Sequence, residues 1–118
     1  MTITSNTFIG LAGNHLVNLD GKGRLAACTI AVAIVWSEDI GPALGQPTVG
    51  RNALLGPLTR RMKDAGLNVN SIDTWRKHGI ALALNYGPAI AQVINSVTHK
   101  EGRNSLPTGQ EYTMAVVT

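Results

Sequence analysis

The sequence predicts an α+β fold in which N-terminal helices pack on a small antiparallel sheet. Three observations lead there. Residues 25–36 are uncharged and mostly apolar on every side, as in a helix sealed inside a core. Leu54, Leu55, Leu58 and Met62 recur at helical spacing. Further on, "HGIALALNYGPAIAQVINSVTH" (78–99) divides into two apolar runs parted by "NYGP", the pattern of a hairpin, and the β-branched tail "QEYTMAVVT" (110–118) can add a strand.

In chain order, "SNTFIGLAGNHLVNL" (5–19) opens on Ser and Asn cap residues and continues as a short, glycine-interrupted helical pattern. "DGKGR" (20–24) reads as a turn that delivers the chain to Cys28. From there "CTIAVAIVWSEDIG" (28–41) suits a buried helix that stops at Gly41-Pro42. "GPALGQPTVG" (41–50), with two prolines and three glycines, is irregular. A helix follows over 51–66, with Arg60, Arg61, Lys63 and Asp64 mostly outward and Gly66 as its stop. "LNVNSIDTWRK" (67–77) is a polar connection into the hairpin, and "KEGRNSLPTG" (100–109) is a loop before the last strand. No repeat or boundary divides residues 1–118, so one domain is expected.

Composition narrows the function. A chain of 118 residues with 44% hydrophobic and 4% aromatic residues can close one core, and that core is aliphatic. A net charge of +3 favours anionic surroundings such as a bacterial wall. Nucleic acid is disfavoured, because no basic run exceeds Arg60-Arg61 and no aromatics interleave with the cations. One cysteine cannot make an internal disulfide, and with it the scattered histidines form no metal cluster, so neither a metal nor another cofactor is expected. "MTITSNTFIG" lacks the pattern of a secretory signal, and the run 25–36 is too short to span a bilayer, so synthesis in the cytoplasm without a membrane partner is expected. "GPALGQPTVG" lacks the Gly-Lys-Ser/Thr ending of a phosphate loop. Glu38 and Asp39 are sequence neighbours on a helix end and cannot face each other across a sugar.

The lone thiol, Cys28, carries the sharpest chemical hypothesis. In the first turn of a helix a thiol meets the positive field of exposed N–H groups, which stabilises a thiolate. The competing account is packing, since cysteine is among the most buried residue types. His78, at the start of a strand, would face that helix end and serve as the base; His99 lies beside a charged loop, while His15 and Trp75 could line a cleft around substrate.

These residues carry a resemblance. "FIGLAGNHLVNLDGKGRLAACTIAVAIV" and "RKHGIALALNYG" resemble the NlpC/P60 and CHAP branch of the papain-like cysteine peptidases, which cut peptidoglycan peptides. In that family an apolar helix of the form D-C-S-G-x-V precedes a strand of the form H-V-G-I-Y. The resemblance implies a papain-like core, Cys28 as nucleophile, His78 as general base, and Gln92 or Asn95 as the polar group that orients the imidazole. It implies a cysteine peptidase or amidase acting on peptidoglycan or a peptide, as in phage lysis proteins or interbacterial effectors, at the cell wall or in a virion. Ala27 stands where the family has Asp, Thr29-Ile30 replaces Ser-Gly, and the strand before the histidine is reduced to "IDTW". These departures motivate the alternative, a degenerate scaffold acting as a non-enzymatic phage or bacterial interaction or structural protein with a protein partner.

Overall fold

In the computed structural model the described residues are Gly13, Leu16, Val17, residues 23–43, Gly45, Thr48, Gly50 and residues 51–101, the side chains of 95–101 excepted. They fold as helices. Helix α1 (Gly23–Val35) runs on through a π-helical turn (Trp36–Ile40) into a last turn (Gly41–Ala43). Helix α2 spans Arg51–Asp64 and α3 spans Val69–Glu101. Gly13, Leu16 and Val17 are helical, but the rest of the expected helix 5–19 lies outside the described residues, as does the tail 110–118.

No strand occurs among the described residues, which overturns the α+β expectation and the papain-like sheet with it. Both runs of the expected hairpin belong to α3. The helical period is visible in what α3 buries: Ile72, Gly79, Ala83, Gly87, Ile90 and Ile94 follow one another in steps of three, four or seven residues. "NYGP" is a kink in this helix. Pro88 has no N–H to give the carbonyl four residues earlier, and the backbone yields at Tyr86, which adopts φ −126° and ψ 19°. The polar connection 67–77 is also mostly helix. Asn68 accepts hydrogen bonds through Oδ1 from the N–H groups of Asn70 (2.8 Å) and Ser71 (3.4 Å), capping α3 well before His78.

Helix α1 is the axis of the core. Every residue from Ala26 to Val35 is buried, so a sequence apolar on all sides is sealed on all sides, chiefly by α3. Its two buried hydroxyls are satisfied by its own backbone: Thr29 Oγ1 donates to the Leu25 carbonyl at 2.8 Å and Ser37 Oγ to that of Ile34 at 2.9 Å. Leu54, Leu55, Leu58 and Met62 of α2 are buried, while Arg60, Arg61, Lys63 and Asp64 are exposed.

Two glycines fix the arrangement. Gly66, at φ +83°, ends α2: its N–H reaches the Lys63 carbonyl (2.9 Å) and the N–H of Leu67 reaches that of Met62 (3.1 Å), the paired bonds of a Schellman turn. Gly79 lies where α3 crosses α1. A Cβ there would stand 2.6 Å from Ile30 Cγ2 and 3.0 Å from the Ala27 carbonyl, so only a hydrogen fits. A bidentate pair, Arg51 Nε to Glu38 Oε1 at 2.8 Å and Arg51 Nη2 to Oε2 at 3.2 Å, ties the end of α1 to the start of α2.

Candidate functional site

The crossing of α1 and α3 leaves a cleft of about 510 Å³ beside the first turns of α1. At Gly79 the backbones of α1 and α3 approach closely, and one turn earlier on α3 Trp75 lies against the start of α1. The indole rests on Gly23, where a Cβ would stand 2.7 Å from Nε1. Ala27 and Cys28, both buried, form the floor, and the half-buried Trp75 and Leu82 form the walls. Arg24, Thr74 and His78 are exposed at the mouth. On α3, Thr74, Trp75, His78 and Leu82 advance by one, three and four residues, which keeps them on one face.

Three of the residues named from the sequence, Cys28, Trp75 and His78, therefore border one cleft. The elements that bring them there differ from the expected ones. Helix α1 begins at Gly23, so Cys28 sits in its second turn, and only 2% of the residue is exposed. The N–H groups unsatisfied at a helix start belong to the first turn, so the thiol is past the strongest part of that field. His78 stands in the third turn of α3, not on a strand. Gln92 is exposed beyond the Tyr86 kink and is no part of the cleft lining. Asn95 lies in α3 with its side chain outside the described residues, and His15 lies outside them altogether.

The chemistry on offer is that of an apolar hollow with a cationic or polar mouth. Among the described residues no group of three His, Cys, Asp or Glu side chains could hold a metal ion. The helix Gly23–Ala43, at 21 residues, extends past the run 25–36 and by length and composition alone is long and apolar enough to cross a membrane; 72% of its most apolar window is buried inside the fold.

A second hollow, of about 370 Å³, lies between α2 and α3 and is bordered by Asn52, Gly56, Thr59, Arg60, Lys63 and Arg76. The sequence reading missed it. Its α2 members recur three and four residues apart, a signal present in "RNALLGPLTRRMK", but Arg76 comes from another helix and only the fold brings it near.

No protein-family model matches the chain, and no curated protein or solved structure does either.

Proposed function

We propose that this chain is a non-catalytic interaction protein that receives an amphipathic ligand in the cleft between α1 and α3. The observation that supports this reading is the grading of the cleft from a buried Ala27–Cys28 floor, through Trp75 and Leu82, to Arg24 and His78 at the exposed mouth. An apolar body would leave water against the floor and walls while an anionic end stayed beside the Arg24 guanidinium. A volume near 510 Å³ lies within the range of small-molecule sites. On this reading Cys28 serves as a small apolar surface.

Octanoate is a suitable probe. At about 0.8 kcal/mol per buried CH2, less the cost of ordering, its affinity should fall between about 0.1 mM and about 10 mM. Titration should perturb Trp75 fluorescence, Leu82→Ala should weaken binding several-fold, and Cys28 should resist iodoacetamide until the protein is denatured. Unchanged fluorescence at saturating octanoate would refute the proposal.

A second reading has its own observation, since Cys28 and His78 share the cleft. A cysteine hydrolase needs little more than a thiol, a base within reach and donors for the oxyanion, and such pairs recur on unrelated folds. Under it, His78 would take the thiol proton, the sulfur would attack an amide carbonyl of a peptide or peptidoglycan stem, the C–N bond would break as the imidazolium returned the proton to the departing amine, and water would release the acyl group as a carboxylic acid. Turnover of purified sacculi that is lost in both Cys28→Ala and His78→Ala would establish it over the binding reading.

A further inference from the structure

We infer that the hollow between α2 and α3 is a binding site for a small phosphate-bearing anion, in which Arg60, Lys63 and Arg76 supply the charge. The three cations border one space of about 370 Å³ with no carboxylate in its lining. Asn52, Gly56, Thr59, Arg60 and Lys63 form one stripe along α2, and Arg76 faces it from α3. Arg76 pairs with Asp73, whose Oδ1 lies 3.8 Å from Arg76 Nη1, a long and half-solvated pair that leaves most of the guanidinium's capacity unused.

Two polar atoms on residues of this lining are also without partners. Thr59 Oγ1 and Arg76 Nε are both buried from water with no hydrogen bond. A helical threonine commonly bonds the carbonyl four residues back, as Thr29 does, and buried donors are rarely left orphaned. Both atoms are sealed from water, so they mark unsatisfied polarity behind the wall of the hollow; the charge that an entering ligand meets comes from Arg60, Lys63 and the exposed part of the Arg76 guanidinium, and a phosphate group offers several oxygens with matching charge. Gly56 adds room: a Cβ there would meet nothing within 4 Å, so the backbone is open to a ligand.

The lining also selects within the phosphate class. It holds no aromatic ring on which a base could stack, and one short hollow cannot follow a polynucleotide backbone. Three positive charges instead match a compact, multiply charged group such as pyrophosphate or a phosphate monoester. This site is separate from the α1–α3 cleft, and either can fail without the other.

Calorimetric titration of the whole chain with sodium pyrophosphate at low salt tests the inference. Arg60 and Lys63 are exposed, so Arg60→Gln and Lys63→Gln should fold normally and each weaken binding about tenfold. Lys77→Gln removes the same charge from an exposed position outside the lining and should change affinity by less than about twofold. Arg76→Lys, which keeps the charge but loses the planar fork, should also weaken binding. No heat at about 5 mM pyrophosphate, or equal losses in Lys63→Gln and Lys77→Gln, overturns the inference. Tighter binding to a thymidine dodecamer, fading steeply with salt, overturns it in favour of a nucleic-acid surface.

Discussion

At Gly79 the structure depends on the absence of a side chain. The crossing of α3 over α1 sets Ile30 and the Ala27 carbonyl so near that a methyl group must displace one of them, and both belong to a helix buried on every side. Gly79→Ala should therefore cost about 1–3 kcal/mol of stability, as overpacking does, despite the better helix propensity of alanine. Urea denaturation measures it, and a neutral or stabilising result would mean that the helices are further apart. Gly66 makes a different demand, because its φ of +83° is unfavourable for a residue with a Cβ. Gly66→Ala should cost about 1 kcal/mol, again read from the urea midpoint. The two roles were unequally legible: Gly66 closes a clear helical pattern, whereas Gly79 sits inside "HGIALAL", where nothing local announces a crossing.

The helices show why one half of the chain was readable and the other was not. In α2 the apolar positions repeat with one period, the charges take the other face, and a glycine marks the end; these cues prevail over Gly56 and Pro57 inside the helix. In α3, "IALAL" alternates closely enough to imitate a strand, and "NYGP" imitates a turn. The decisive cues lay elsewhere, in the Asn68 cap and in a spacing that only becomes plain when 72–94 is read as one segment. The same imitation displaced the candidate site, since it set His78 at the start of a strand and Gln92 on the next one, whereas one kinked helix carries both and of the two only His78 reaches the cleft. Cys28 was misplaced by five residues of unrecognised helix, because Gly23 and Arg24 read as a turn. If Asn68 is the cap, Asn68→Ala should cost about 1 kcal/mol and Asn68→Ser or Asn68→Asp should restore most of it. Chemical denaturation of the three variants compares them, and equal losses in all would show that the Oδ1 bonds contribute nothing to stability.

Across the molecule, the unusual feature is an apolar helix with no polar face of its own. Among the described residues helix α1 is covered chiefly by α3, and the buried residues of α2 and Leu16 join the same core cluster. They share that one cluster, so the described helices should unfold together. Leu58, fully buried on α2, offers a way to test this from the periphery. Leu58→Ala should lower stability by about 2–5 kcal/mol, the usual cost of such a cavity. The same substitution should also shift the far-ultraviolet dichroism and tryptophan fluorescence transitions to one common, lower urea midpoint, because Trp36 in the continuation of α1 and Trp75 in α3 report helices other than the one altered. Separate midpoints would mean that α1 and α3 hold together without α2. The cleft between them would then be a stable unit by itself, and the hollow that needs α2 would open first.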